Sequence, residues 1–466
     1  MKSDTIAAIA TALSNSGIGI VRVSGDESIS VVNKIFKNKK NQSNLENVKS
    51  HTIHYGFIYD GNELIDEVLV MIMKGPKSYT AENTVEINCH GGVHVVKKVL
   101  ETVIKNGARI AQPGEFTKRA FLNGRIDLSK AEAVSEIIHA KNDYALKSSV
   151  NQLKGYISDQ IIEIRQSILY EIAFIESALD DPEHISLEGY SERLNNIIKD
   201  LVNKLTKLIQ SGNNGKVLKE GINTVIVGKP NAGKSSLLNR LVGEERAIVT
   251  NIAGTTRDTI EETIHINGIQ LNLIDTAGIC DADNEVEKIG IDKAIKYAQE
   301  SDFIIYVVDS SVPLDHDEED IIKIVSKKKK VILWNKTDLE PALNEEEFIK
   351  KVKDLIDEDV SGMLIRTSTV NRFGLDELEK YIEMMFFNGH INYNDEVYIT
   401  NLRQIEALND TVESLGQVLI SISDQMPEDF YSIDLMSAYT SLGMIIGEEV
   451  GEDLVNEIFS KFCMGK

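Results

Sequence analysis

Residues 224–241, TVIVGKPNAGKSSLLNRL, read as an apolar strand, a glycine-rich loop and an amphipathic helix, and no other stretch restricts the fold as tightly. Gly228, Gly233, Lys234 and Ser235 satisfy GxxxxGK[ST]. Glycines let backbone N–H groups wrap phosphates, and the helix N-terminus adds a favourable dipole. In such a loop the lysine reaches the β- and γ-phosphates and the serine hydroxyl ligands magnesium. Asn231, Ala232, Gly233, Lys234, Ser235 and Ser236 are therefore candidate nucleotide contacts, Lys234 a candidate catalytic group and Ser235 a candidate magnesium ligand. The stretch predicts an α/β P-loop domain.

Three further elements follow in the order that a guanine-nucleotide site requires. TNIAGTTRD (250–258) offers Thr256 as second magnesium ligand, with Thr250, Asn251, Ile252, Ala253, Gly254 and Thr255 beside the nucleotide. LNLIDTAG (271–278) ends an apolar strand with Asp275 near the metal and Thr276, Ala277 and Gly278 at the γ-phosphate. VILWNKTD (331–338) ends another strand with Asn335, Lys336 and Asp338. A carboxylate at Asp338 accepts both N1–H and N2–H of guanine; adenine lacks that donor pair, so discrimination of ~10⁴ is expected. Ser368 and Thr369, after the strand MLIRT, are placed to contact the base. Decay to a non-binding fold would remove Lys234, Asp275 or Asp338, and all three are present. Many GTPases set a glutamine directly after DxxG to orient water. Here that residue is Ile279, which cannot, and the acidic stretch CDADNEVEKIG (280–290) follows. Glu287 is the candidate water-positioning residue; spacing equally fits a first-turn helix acid.

Around this domain the chain changes character. IGIVRVSG (18–25), EVLVMIM (67–73) and NTVEINCH (83–90) are β-rich, and 93–107 reads as a helix, giving an α+β domain over 1–120. Leu146, Val150, Leu153, Ile157, Ile161, Ile164, Ile168, Ile172, Ile175 and Leu179 repeat every 11 residues, the signature of one nearly straight helix with an apolar stripe. A second helix spans 190–210, and SGNNGK (211–216) reads as a linker. After residue 386 single-stripe helices resume: Leu402, Ile405, Leu408, Val412, Leu415, Leu419; then Leu435, Tyr439, Leu442, Ile446; then Val450, Leu454, Ile458, Phe462. Such helices cannot bury their faces alone. The expectation is one helical domain, 121–220 with 387–466, interrupted by an inserted P-loop domain at 221–386.

A net charge of −23 excludes a general nucleic-acid coat. Lys327–Lys330 is read as a solvated loop. Three scattered cysteines and no run of about 18 apolar residues predict a cytoplasmic protein with no membrane span. His90 and His94 are four apart, but Gly91-Gly92 between them argues against a helical zinc pair.

Taken together, the chain resembles the MnmE (TrmE) family of tRNA-modification GTPases along nearly its whole length. The residues that carry the resemblance are GIVRVSG (19–25), CHGG (89–92), RIAQPGEFTKRAFLNGRIDL (109–128), GKPNAGKSSLLN (228–239), AIVTNIAGTTRD (247–258), DNEVEKIG (283–290) and the terminal FCMGK (462–466). The resemblance implies an N-terminal folate-binding and dimerisation domain, a helical domain and an inserted G domain. It implies GTP hydrolysis coupled, with the FAD-dependent partner MnmG in a heterotetramer, to aminomethyl or carboxymethylaminomethyl addition at carbon 5 of the wobble uridine of certain tRNAs. The one-carbon unit would come from 5-formyltetrahydrofolate or a related folate, held by Arg22, Glu86, Arg125 and Lys466. It further implies potassium held by Asn231, Thr250, Ile252 and Thr255, coupling activation to pairing of two G domains. TALSNSG (11–17) departs from the proline- and glycine-rich loop usual in the family. Cys463 reads as a nucleophile near the folate or as a small residue closing the bundle. A GTP-dependent ribosome-assembly or switch GTPase is the alternative, favoured by a KH-type module that the sequence does not show.

Overall fold

A computed structural model of the chain describes residues 4–140, 142–229, 231–243, 260–266, 269–274, 301–314, 316–326, 328–357, 359–371, 373–387, 399, 401–463 and 465. Two compact units form. Met1–His139, Ser149–Thr206 and Leu402–Lys466 make the first; Ala140–Ser148 and Lys207–Asn401 make the second.

The first unit opens with strands β1 (Ile6–Ile9), β2 (Ser16–Ser24), β3 (Phe36–Lys37), β4 (Thr52–Asp60), β5 (Glu63–Met73), β6 (Thr84–Gly91) and β7 (Arg109–Ile110), in the sheet order β3-β4-β5-β6-β2-β1-β7. The β-rich runs read from the sequence lie largely within β2, β5 and β6. Alternation sets the two faces. Val21, Val23, Val70, Ile72, Val85 and Ile87 bury against helices α1 (Ser28–Ile35) and α2 (Val93–Lys105). Arg22 and Glu86 stand directly opposite each other in the β2–β6 register and so share the other face. A one-residue slip would send that pair into the apolar core, which pins the register.

Helices α3 (Glu115–Leu122), α4 (Leu128–His139), α5 (Asp143–Lys154), α6 (Tyr156–Asp180) and α7 (Tyr190–Glu220) follow. The apolar repeat holds along α6, where Ile157, Ile161, Ile164, Ile168, Ile172 and Ile175 are all buried. The single helix expected over the whole repeat is instead broken at Gly155, whose φ of +104° is left-handed. The stripe steps from Leu153 to Ile157 across the break, so spacing alone does not reveal it. The linker expected at 211–216 is also corrected: α7 runs through it to Glu220. Each glycine costs a helix about 1 kcal/mol, which weakens a helix without ending it.

In the second unit β8 (Ile222–Val227), β9 (Ile260–Ile266), β10 (Ile269–Ile274), β11 (Phe303–Asp309), β12 (Lys329–Asn335) and β13 (Leu364–Arg366) order as β13-β12-β11-β8-β10-β9. Neighbours are parallel except β9 and β10. Both faces are covered, so the central strands are apolar throughout. Ile305, Val307 and Leu333 enter one core; Ile304, Tyr306, Val308, Ile332 and Trp334 enter the other. The lysine run is not the solvated loop expected. Lys329 and Lys330 begin β12, Lys330 is only 3% exposed, and its ammonium bonds the Ser326 carbonyl at 3.1 Å. Long apolar stems let lysine enter a strand if the ammonium finds an acceptor.

The chain closes in the first unit with helices Leu402–Ser423, Glu428–Ile446 and Glu452–Ser460. The middle one packs against both Leu402–Ser423 and α6. Leu408, Leu415, Leu435, Leu442 and Ile446 are buried as the stripes require, but Leu402 is 61% exposed while Gln404 is fully buried. Gln404 Nε2 donates to Glu132 Oε2 at 2.7 Å, and Arg403 pairs with the same carboxylate at 2.8 Å. A satisfied polar network thus takes part of the face that apolar counting gave to leucine.

Candidate functional site

The glycine-rich loop leaves the carboxyl end of β8 and enters helix α8 (Lys234–Gly243). Two of its glycines are fixed by what packs on them. Gly228 has φ +150°, and a β-carbon there would run into the Val307 carbonyl. Gly233 has φ +104°, and a β-carbon would meet Asn335 Nδ2. Leu237 N–H donates to the Gly233 carbonyl at 2.8 Å, starting the helix. Lys234 Nζ donates to the carbonyls of Gly228 and Lys229 at 2.8 and 2.6 Å, holding its charge inside the loop. Asn231, at φ +64°, is exposed.

The carboxyl end of β12 is tied to that loop. Asn335 is buried, its Nδ2 donates to the Ala232 carbonyl at 2.8 Å, and its Oδ1 accepts from Thr369 N–H at 3.4 Å. Ser368 Oγ donates to Asp338 Oδ1 at 2.7 Å, orienting a carboxylate that stays exposed. Lys336, at φ +63°, places its ammonium 2.6 Å from Asp309 Oδ2. Burial pushes the Asp309 carboxyl up, but Lys336 and the two Ser311 donors outweigh it and hold the group below the usual carboxylate range. The arrangement is a phosphate loop joined by side-chain hydrogen bonds to an exposed, oriented carboxylate.

A second constellation lies in the first unit. Arg22 Nε donates to Glu86 Oε1 at 2.8 Å, both side chains being 14% exposed. The guanidinium lies over the rings of Tyr79 and Phe116, 5.1 and 5.7 Å from their centroids. Arg125, exposed, lies 4.8 Å from the Tyr79 centroid. Arg22 Nη1 reaches the carbonyl of Gly465, in the C-terminal tail, at 3.1 Å. Gly465 has φ +83°, and a β-carbon there would collide with the Ile9 carbonyl.

Residues 5–125 match the family model described as GTP-binding protein TrmE N-terminus, and residues 128–463 match the MnmE helical domain model. A relative from Lachnoclostridium phytofermentans, named tRNA modification GTPase MnmE, is 56% identical over 466 residues, all of both chains. A relative of the same name from Bacillus mycoides is 45% identical over 472 residues, again all of both chains. The chain belongs to the MnmE family. Among solved structures, the G domain of the T. maritima FeoB iron transporter is 27% identical and covers 35% of this chain and 98% of that one, at a TM-score of 0.25. At that score the P-loop assignment rests on the sheet order and loop geometry above.

For this MnmE family member, Thr250, Asn251, Ile252, Ala253, Gly254, Thr255, Thr256, Asp275, Thr276, Ala277, Gly278, Glu287 and Lys466 lie outside the described residues. Of the expected folate contacts, Arg22 and Glu86 meet directly, and Arg125 joins Arg22 through Tyr79. Sequence reading missed Tyr79, Phe116, Asp309 and the Gly465 carbonyl. For Phe116 the only signal was its place in the PGEFTKRAFLNGRIDL block; Asp309 simply ends a β-strand. His90 is held by Asp66 at 2.7 Å, and that carboxylate raises the imidazole above its ordinary pKa. Among the described residues no helix is long and apolar enough to cross a membrane.

Proposed function

We propose that this chain is a GTP hydrolase of tRNA modification, the activity that its full-length relatives' names carry. The observation that supports it most is the hydrogen-bonded join of phosphate loop and base-reading strand, Asn335 to Ala232, with Asp338 oriented by Ser368. That join suits a guanine nucleotide: Gly233 leaves room for close approach, Lys234 carries the charge that phosphates pair with, and Asp338 faces water with two acceptor oxygens. Ser235 and Thr256 are proposed to ligand magnesium. Asn231, with Thr250, Ile252 and Thr255, is proposed to hold potassium, and Glu287 to orient water. Bound potassium would supply the positive charge that a phosphoryl transfer site otherwise takes from an arginine.

The cradle around Arg22 fits a folate in its chemistry. Tyr79 and Phe116 offer aromatic faces, Arg22 and Arg125 offer cations to carboxylates, and Glu86 accepts from a pterin donor edge. A folate there would supply the one-carbon unit for carbon 5 of the wobble uridine, with an FAD-dependent MnmG partner supplying redox chemistry. The outer face of the N-terminal sheet presents Ile53, Tyr55 and Leu69 to solvent, with Tyr55 opposite Leu69 and Ile53 opposite Met71. Such an apolar strip supports a homodimer through this unit.

The deciding experiment is nucleoside mass spectrometry of tRNA from a deletion strain, with and without this gene. Wobble uridines that are unmodified without it and modified with it are expected; no difference would refute the reading. GTP turnover should rise when sodium is replaced by potassium at constant ionic strength, and Asn231→Ala should remove the rise. Sedimentation of the full chain should give a dimer.

A further inference from the structure

Charge is shared unevenly along this chain. Residues 1–125 hold 16 lysines and arginines against 12 aspartates and glutamates, a net of +4 in a protein of net −23. The remaining residues therefore carry −27. Within the basic part, Arg22 pairs with Glu86, Arg109 with Glu115, Arg119 with Glu82, Lys98 with Glu63 and Lys105 with Asp60. Lys39, Lys40, Lys49, Lys74 and Lys77 pair with no carboxylate among the described residues. Like charges gathered without counter-charges destabilise a fold by self-repulsion, so the cluster needs a reason.

The fold gathers these lysines at one end of the N-terminal sheet. Thr52 stands opposite Ile72 in the β4–β5 register, so the start of β4 and the end of β5 lie together. Lys49 precedes the first, and Lys74 and Lys77 follow the second. The loop between β3 and β4 brings the others to the same end. Lys39 Nζ lies 4.7 Å from the ring centroid of Tyr55, in β4, and Lys74 Nζ donates to the Glu46 carbonyl at 3.1 Å. That loop is an ordered support. Leu45 is buried and its N–H donates to Asn33 Oδ1 at 2.8 Å; Asn38 Oδ1 accepts from the N–H groups of Lys40 and Gln42 at 2.8 and 3.0 Å; Lys74 N–H donates to Ser50 Oγ at 2.9 Å. Lys39, Lys40, Lys49 and Lys77 are exposed upon it.

Protection of the sheet edge does not account for them. Lysine on an edge strand blocks pairing with another chain. The edge strand here is β3, and its own lysine, Lys37, lies with Nζ 4.6 Å from the Tyr59 centroid. None of the five lies in that strand. Two residues past Lys77 the chain reaches Tyr79, whose ring meets the guanidinium groups of Arg22 and Arg125. One short loop therefore joins the lysine cluster to the cradle.

We propose that Lys39, Lys40, Lys49, Lys74 and Lys77 form a docking surface for the phosphate backbone of the tRNA substrate. The choice of RNA as the polyanion rests on the function proposed above. Ammonium groups meet phosphates as point charges and read no base, so the surface fixes where the RNA lies and not which RNA it is. The acidic remainder of the chain repels the same backbone and orients it toward this end of the sheet.

The test is binding of fluorescently labelled, unfractionated tRNA to the full chain, without nucleotide, at a series of salt concentrations. Five neutralised phosphates predict a slope of log affinity on log salt of about −3.5 to −4.5. Replacing Lys39, Lys49 and Lys77 together by alanine should reduce the size of that slope by about 2–3 and weaken binding about tenfold to hundredfold at about 0.1 M salt. Arginine at the same three positions should preserve binding. GTP turnover should be unchanged in both variants, since none of the three lies in the nucleotide loop. An unchanged slope in the alanine variant would overturn the proposal, as would an equal loss in the arginine variant. So would capture by phosphatidylglycerol vesicles without binding of tRNA, which would make this a membrane surface. The two readings fail separately. RNA binding that is lost with the lysines, in a protein whose gene makes no difference to wobble uridines, would remove the proposed function and keep this surface. Modification that depends on the gene, with binding indifferent to the lysines, would remove the surface and keep the function.

Discussion

The proposed nucleotide pocket draws its groups from the ends of parallel strands of one sheet, whereas the cradle around Arg22 is gathered from places far apart in the chain. Asn335, Lys336 and Asp338 lie within four residues, and the loop that Asn335 bonds is a single short segment. Arg22 meets Glu86 64 residues away and Gly465 443 residues away. In a parallel sheet, loops at the carboxyl ends converge on one crevice, so a short motif can supply a whole subsite. An antiparallel sheet has no such edge. Its outer face collects side chains by register, and the tail must return to close it. One site therefore depends on local backbone shape and the other on the fold of its entire unit.

Substitution of the Asp338 carboxylate should have the largest effect. Asp338→Asn removes the acceptor pair for guanine and offers an amide suited to xanthine, so the preference for GTP over xanthosine triphosphate should fall by ~10³–10⁴. Nucleotide competition measures this, and an unchanged preference would mean that Asp338 does not read the base. Next comes Gly233→Ala. Left-handed strain of ~1–2 kcal/mol and collision with Asn335 of ~1–3 kcal/mol together predict about a hundredfold weaker GTP binding. The chain's one tryptophan, Trp334, is buried in the second unit beside Asn335, so its fluorescence reports that unit alone. Neither change should move the unfolding of the first unit followed by hydrogen exchange of its own amides.

The same contrast explains what could be read from the sequence. The loop 228–235 and the motif ending at Asp338 were legible because their chemistry is contiguous. Arg22, Glu86 and Arg125 were reached only through family resemblance, since no local period links residue 22 to residue 86. The β2–β6 register that joins them is a tertiary fact. Apolar spacing is blind both to the left-handed Gly155 and to a buried polar network such as Glu132, Arg403 and Gln404, while the glycines of 211–216 suggest a linker where a helix runs on. Lys330 shows the converse, a charged residue entering a strand because Ser326 accepts from it.

Arg22→Ala sharpens the comparison from the other side. It removes the cation paired with a mostly buried Glu86 and the donor to the Gly465 carbonyl in one step. Leaving that carboxylate unpaired should cost the first unit about 1–3 kcal/mol. The tail should also become more susceptible to carboxypeptidase. GTP affinity and the Trp334 unfolding transition should stay as in the wild type. A shift of that transition would show that the two sites are energetically linked.

The smallest effect concerns the Lys336–Asp309 ion pair at the ends of β12 and β11, and its pH dependence separates charge from packing. Asp309 is held below its ordinary pKa of 3.8 by Lys336 and Ser311 against the opposing effect of burial. A carboxyl depressed in the folded state contributes stability that is fully present above the unfolded value and lost as pH falls through the folded one. Lys336 keeps contact with water, so the contribution is screened to at most ~1 kcal/mol. Asp309→Asn should therefore lower the denaturant midpoint of the Trp334 transition slightly at neutral pH. Because both oxygens of a protonated carboxyl resemble an amide to their neighbours, wild type and variant should converge as the solution is acidified below about 4. A difference that persists in acid would assign the stabilisation to shape and hydrogen bonding at Ser311. One that disappears while still at neutral pH on adding salt would assign it to the Lys336 charge, since screening acts on the ion pair and leaves the neutral hydrogen bond in place.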